Sequence, residues 1–284
     1  MSVMSIISCK IMQDEIVWLF TNDSEIDKII IVESNNISEF REKLNEQHVS
    51  YEIVPFEKIS DLLGDTDEYQ SIVIVNILEL GLHAVPKTLK TEVYQTIEEM
   101  IPFSDGILLF YGLCGNVLGK VEEDFCLEKD GCIVRILRDD VRIVDDCIGA
   151  TVGGGANYLK LLKTHSKEPA FFFTPMYANS WRELLSIDKY APDPEKALKM
   201  AKMVNDMAGY SRVAKVNTGL TYVKDIDAKI EEYANLFGYT TFEVSGNQEI
   251  FEKCYFSIKD EIKNKSCKKN YASFKYSRLR NARR

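Results

Sequence analysis

The chain has 284 residues, 45% hydrophobic and 28% charged, so it can build one large core or two small ones. It is neither a disordered chain nor a disulfide-stapled miniprotein. Lys plus Arg is 35 against Asp plus Glu at 44, a formal net charge of −9. Nine basic residues and no acid lie between Lys263 and Arg284, leaving 26 bases against 44 acids before them. A body so acidic repels nucleic acid and anionic membranes. No apolar run approaches the roughly 18–20 residues of a membrane helix. The opening MSVMSIISCKIMQDE lacks the basic, apolar and small-residue regions of a signal peptide, so a cytoplasmic protein is expected. In that reducing compartment the seven cysteines (Cys9, Cys114, Cys126, Cys132, Cys147, Cys254, Cys267) read as packed apolar residues, metal ligands or nucleophiles rather than disulfides.

Short β-branched runs alternate with helical stretches, the pattern of an α/β protein with mostly parallel, Rossmann-like sheets flanked by helices. The first predicted strand, Ser5–Ser8, runs into Cys9, and Asp14 and Glu15 follow at a helix start. Strands at Ile29–Glu33 and Tyr51–Val54 flank a helix over Ile37–Gln47, with Ser38 ahead of Glu39 and Phe40. The strand Ser71–Asn76 leads into LELGLHAVPKTL, where His83 precedes a helix over Lys87–Met100 that opens near Pro86. His83 is either an ordinary loop residue or, being just past a strand end, a group facing a cleft.

The strand beginning at Gly106 runs into Gly112-Leu113-Cys114-Gly115-Asn116. Glycines around a reactive residue allow a sharp turn that lifts it above the carboxyl edge of a parallel sheet, where α/β proteins place their sites. Backbone N–H groups and a helix start would favour thiolate at Cys114; the plainer alternative is a small packed hydrophobe beside a glycine turn. The G-x-G-x-x-G pattern is absent, and Gly112, Gly115 and Gly119 do not have P-loop spacing.

After a strand at Ile133–Ile136 comes VDDCIGATVGGGANYLKLLK, with Asp145, Asp146 and Cys147 together, then Gly153-Gly154-Gly155 and a helix-like stretch. Buried carboxylates need partners or a cation, so metal ligation or acid–base work fits Asp146 and Cys147. A solvated turn capping a helix, with Gly153 and Gly154 offering backbone to an anion, fits too. Cys126 and Cys132 flank a turn of hairpin character and receive no role.

Strands at Ala170–Thr174, Ser211–Val216 and Thr240–Val244 alternate with helices at Pro194–Met207, Asp225–Phe237 and Gln248–Lys263. Asp193 precedes Pro194 at a first helical position, and Gly238 sits past a helix end. The two prolines of DKYAPDP (188–194) mark the best break. It divides an α/β portion (1–190) carrying the Cys and His segments from a C-terminal α/β portion (191–262) and a basic tail (263–284). Two lobes sharing a cleft and one continuous sheet both satisfy this pattern. Tyr271, Phe274 and Tyr276 interleave with the tail's charges, a composition that suits a partner-docking extension better than RNA binding; Cys254 and Cys267 receive no role.

In a parallel sheet Cys9, His83, Cys114 and Cys147 converge on one edge. No C-x-x-C pair is present, so any metal site is assembled from distant segments, and three thiolates with an open position suit either zinc or an iron–sulfur cluster.

The segments SIISCKIMQDEI, LGLHAVPKTL, ILLFYGLCGN and DDCIGATVGGGANY, in this order, resemble the domain-of-unknown-function family numbered sixteen thirty-eight, found in methanogenic archaea and anaerobic bacteria. FFFTPMYANSW is similar to its tyrosine-rich extended segment, and KVNTGL and EVSGN to its later motifs, so the resemblance spans about residues 5 to 260. Members are often encoded beside corrinoid proteins and their methyltransferases, which implies a part in anaerobic one-carbon metabolism. Cys9, His83, Cys114, Asp146 and Cys147 match the family motifs. Asp145 stands where the family usually has histidine, TPMYANSW replaces its glycine-tryptophan, and the basic tail is a further departure.

The expectation is therefore a metal-dependent protein of corrinoid methyl transfer. Cys9, Cys114 and Cys147 would hold an iron–sulfur cluster or zinc. His83 and Asp146 would serve as nearby acid–base groups, with Gly112, Gly115, Asn116, Gly153 and Gly154 as backbone contacts to a small-molecule substrate. Its partners would be a corrinoid protein or its methyltransferase, with no membrane and no nucleic acid. The alternatives are a non-catalytic module binding a small ligand or corrinoid protein, and an enzyme using Cys114 as nucleophile.

Overall fold

A computed structural model describes residues 1–64, 69–125, 131–186 and 193–281, leaving aside the side chains of residues 83, 84, 194 and those after 265. The predicted α/β architecture is present. Six parallel strands, β1 (Ser2–Cys9), β2 (Lys28–Val32), β3 (Glu52–Val54), β4 (Ser71–Leu78), β5 (Gly106–Phe110) and β6 (Ile133–Ile136), form one sheet in the order β3-β2-β4-β1-β5-β6. A second parallel sheet is built from β7 (Ala170–Phe173), β8 (Arg212–Asn217) and β9 (Thr240–Ser245). It draws strands from both sides of residue 190, the boundary suggested by the DKYAPDP segment; residues 187–192 themselves lie outside the described residues.

Central strands of a parallel sheet are covered on both faces and so read as continuous apolar runs. Ile6 and Ile7, neighbours pointing to opposite faces, are both fully buried. One face packs on α1 (Gln13–Asn22) and α2 (Ser38–Glu46), and the other on the short α3 (Ile59–Gly64) and α4 (Pro86–Met100). Between β5 and β6 lies α5 (Val121–Asp124); β6 is followed by α6 (Cys147–Thr151) and α7 (Gly155–Thr164). Around the second sheet run α8 (Pro175–Ser186), α9 (Pro194–Met207) and α10 (Ile226–Phe237). The last helix, α11 (Glu249–Asn281), returns to the first sheet, where Phe251, Tyr255 and Ile258 join the α1 face. It carries the backbone helix well past Lys263.

Where the resemblance implied an extended tyrosine-rich segment, the strand stops at Phe173 and a helix begins at Pro175. Proline suits a first helical turn, and the Tyr177 N–H donates to Thr174 Oγ1 at 3.2 Å, capping it. This helix, α8, packs on the turns Lys10–Met12 after β1 and Leu80–Ala84 after β4.

The strand order fixes where a site belongs. The chain leaves β1 toward β2 and β3 but leaves β4 and β5 toward β6. Open α/β sheets bind ligands at such a reversal, outside the carboxyl ends of the strands.

Candidate functional site

Cys9 ends β1 opposite Leu78, the end of β4, and the preceding Ser8 lies opposite Phe110, the end of β5. Three neighbouring strands therefore deliver Cys9, the His83 turn and the Cys114 loop to the same edge. His83 lies in the turn Leu80–Ala84; its side chain is outside the described residues. The Cys9 sulfur accepts the Ile11 N–H at 3.5 Å. Burial pushes its thiol up to about 12, with the charge of Cys114 adding to the shift and the Ile11 N–H opposing it.

Past β5 the backbone makes a close approach that only glycine permits. A Cβ on Gly112 would lie 2.6 Å from the Val144 carbonyl oxygen and 2.8 Å from the Asp146 nitrogen. At this distance the Leu113 N–H donates to Val144 O (2.8 Å) and the Cys114 N–H to Asp145 O (3.2 Å). The Cys114 loop is thereby laid along the segment that carries Cys147. Cys114, Gly115 and Asn116 follow at φ of +44°, +76° and +63°. A side chain at positive φ is costly and concentrates at functional turns. Gly115 and Asn116 are exposed at the rim, while Gly112 is buried.

Asp146 caps α6 by accepting the Gly149 N–H at 2.8 Å, which places Cys147 as the first helical residue. Burial raises the Asp146 carboxyl, and Asp145 adds to the effect. Burial also lifts the Cys147 thiol well above its ordinary value, reinforced by Asp146, Cys9, Cys114 and Glu15. For Cys114 burial again dominates, raising the thiol to about 11 against the help of a backbone hydrogen bond at Gly112. Burial thus opposes the thiolate that the turn and helix start were expected to favour at Cys114. Turn geometry does offer N–H groups, but loss of water outweighs them. None of the five described cysteines is in a disulfide. Among the described residues, which leave out the His83 imidazole, no three His, Cys, Asp or Glu side chains stand close enough to hold a metal ion.

The family model described as "Protein of unknown function (DUF1638)" matches residues 77–255, more than half of the chain. The chain belongs to the DUF1638 family. No curated protein and no solved structure matches it. The DUF1638 match takes in His83, Cys114, Asp146 and Cys147, while Cys9 and α1 lie before it.

In this DUF1638 chain the start of α1 supplies residues that periodicity alone did not single out. Gln13, Asp14 and Glu15 are all buried, and one oxygen of each has no hydrogen-bond partner. Lys43 from α2 donates to Asp14 Oδ1 at 2.7 Å and to the Met176 sulfur of α8 at 2.7 Å. Burial pushes the Glu15 carboxyl up to about 8, with Asp14 adding to the shift. The Tyr111 hydroxyl, at the end of β5, is also buried without a partner, and burial together with Cys9 and Cys114 raises it. The signal available in the sequence was three consecutive polar residues one short turn after a buried strand.

Gly153 and Gly154 do not face these thiols through any described contact. Both have positive φ, and a Cβ on Gly154 would lie 2.8 Å from Asp139 Oδ2. That carboxylate accepts the Gly155 N–H at 2.9 Å at the start of α7. Burial works to raise Asp139, but N–H donors from Arg142, Val141 and Gly155 win and hold it low. An anion does occupy this glycine turn, and it is the protein's own.

Proposed function

We propose that the carboxyl edge of the six-stranded sheet is a thiol-rich cation site in which Cys9, Cys114 and Cys147 hold zinc or an iron–sulfur cluster. The observation that carries this reading is geometric: β1 and the loop after β5 bring Cys9 and Cys114 to the carboxyl edge at the topological reversal of the sheet, and backbone hydrogen bonds lay the Cys114 loop along the segment that leads to Cys147. Acidic groups gathered in this way repel one another in their charged forms. A soft cation relieves that repulsion and displaces their protons. When bound, zinc would activate a thiol for methyl transfer and a cluster would pass electrons to a partner. The chain's own residues position the site: Gly112 permits the approach of the two Cys loops, and Asp146 fixes the turn that presents Cys147. In the setting implied by the family resemblance, the partner is a corrinoid protein or its methyltransferase.

A second reading, a binding module for a small ligand or corrinoid protein, is favoured by the lack of a three-donor group at ligating distance among the described residues. The raised thiols argue against Cys114 as a free nucleophile. Cys114→Ala and Cys147→Ala separate the first two readings. The cation site requires both variants to lose bound metal when purified without oxygen, whereas the binding module requires them to bind corrinoid protein as the parent does and the parent to carry no metal.

A further inference from the structure

We infer that the outer face of α9 is a self-association surface, on which α9 of a second copy of this chain docks antiparallel across a two-fold axis.

A helix on the surface of a domain ordinarily turns one apolar stripe to the core and a polar face to water. Helix α9 carries two apolar stripes. Ala197 is buried, and Leu198 and Ala201 pack against the core of the second sheet. Met200, Met203, Val204 and Met207 follow the i, i+3, i+4, i+7 spacing of another face, and each is between 48% and 79% exposed. Single exposed apolar residues are ordinary on a protein surface, but four that adjoin over two turns form a patch of the kind that marks an interaction site. Three of the four are methionines, whose unbranched and polarisable side chains adapt to a facing surface.

Two features select a second copy as the occupant. The spacings of three, one and three residues read the same in both directions. A two-fold axis through the centre of the stripe therefore sets Met200 against the partner's Met207 and Met203 against the partner's Val204. The flanking charges agree with this pairing. Lys199 and Asp206 are seven residues apart, two helical turns, and so border the stripe on the same side. Antiparallel helices meet like side to like side in reversed direction, which brings Lys199 within about 3 Å, along the helix axis, of the partner's Asp206. Parallel helices would set Lys199 against Lys199. Lys202 already meets Asp206 at 3.3 Å, and Lys202 also donates to the Phe237 carbonyl of α10; the Asp206 side chain nevertheless stays half exposed.

The test is the oligomeric state of the full chain under reducing conditions, by sedimentation velocity from about 1 to about 100 µM. Two short helices make an interface at the low end of the usual size range, for which a micromolar Kd is expected. The parent should pass from monomer to dimer over that range. Met203→Lys, which places a charge at the centre of the stripe, should raise Kd at least about tenfold with an unchanged circular dichroism spectrum. Lys199→Glu should weaken the dimer at low salt, and adding Asp206→Lys, which restores opposite charges across the axis, should recover it. A parent that stays monomeric at about 100 µM overturns the inference and leaves the stripe to a different protein. A dimer indifferent to Met203→Lys overturns it as well. A dimer that Met203→Lys breaks but the charge exchange does not rescue overturns the antiparallel pairing. Should Met203→Lys not fold, Met207→Lys, nearer the helix end, decides in the same way.

Discussion

Gly112→Ala is the sharpest probe of how the two cysteine loops are held together. The added methyl carbon would sit 2.6 Å from Val144 O, 2.8 Å from Asp146 N and 2.9 Å from the Asp145 carbonyl carbon, all of them backbone atoms that cannot swing aside. Relief requires the two loop segments to part, which breaks the hydrogen bonds from Leu113 N–H to Val144 O and from Cys114 N–H to Asp145 O. Two hydrogen bonds at about 1 kcal/mol each and about 1–3 kcal/mol of overpacking give a loss of about 3–5 kcal/mol. For a chain of this size that lowers Tm by roughly 6–20 °C. Urea unfolding followed by circular dichroism measures the loss directly, with an unchanged slope confirming a stability effect. Gly64→Ala is the internal control. A Cβ there meets nothing within 4 Å at the end of α3, and alanine in a helix gains up to about 1 kcal/mol. A loss below about 1 kcal/mol for Gly112→Ala would refute the close approach and, with it, the account of how Cys114 reaches Cys147.

Three further outcomes follow from the same geometry. Glu15 is held protonated, up to about 8, whereas the unfolded chain releases that proton near the ordinary carboxyl value. Parent stability therefore falls as pH rises from about 5 to 8, and Glu15→Gln gains on it by about 4 kcal/mol at pH 8; parallel pH profiles of the two proteins would count against this. The thiols of Cys9 and Cys114, raised to about 12 and about 11, resist iodoacetamide at pH 7.5 in the native metal-free protein, and rapid labelling of Cys114 seen by mass spectrometry would restore the nucleophile reading. Asp23, buried, accepts hydrogen bonds from Lys259 and Tyr255, which overcome its burial and hold its carboxyl low. Lys259→Met strands that charge at a cost of about 3–5 kcal/mol at neutral pH. Because a lowered carboxyl contributes above its unfolded value and is lost below it, the gap between parent and variant narrows as pH drops below about 4; a gap independent of pH would exclude this pair as its source.

Much of the fold was legible because the physics that made it is local and periodic. The Ile133–Ile136 strand has the predicted bounds, and runs such as Ser71–Leu78 announce a sheet buried on both faces. The delivery of Cys9 and of the Cys114 loop to one edge followed from parallel strands alone; the segment leading to Cys147 is joined to that loop by the Gly112 approach, which the strand pattern does not show. What periodicity could not supply was solvation. The glycines and N–H groups around Cys114 suggested a thiolate, yet the depth of the site reverses the sign of that shift. Asp14 and Glu15 read only as the start of a helix, and their burial was not legible because nothing in the sequence shows α8 closing over the turn after β1. Gly153 and Gly154 looked like an anion cradle, and the carboxylate that fills it, Asp139, stands fourteen residues before Gly153 in a loop the spacing rules do not read. Pro175 ended a strand where the resemblance suggested it would continue.

The central claim is that three thiols form one site rather than three packed cysteines. Metal content per chain, by elemental analysis and visible spectrum on protein purified without oxygen, tests it across the parent and the single variants Cys9→Ala, Cys114→Ala and Cys147→Ala. A shared site predicts a stoichiometric metal in the parent that each single substitution removes entirely. A parent devoid of metal, or metal that survives any one of the substitutions in full, contradicts it.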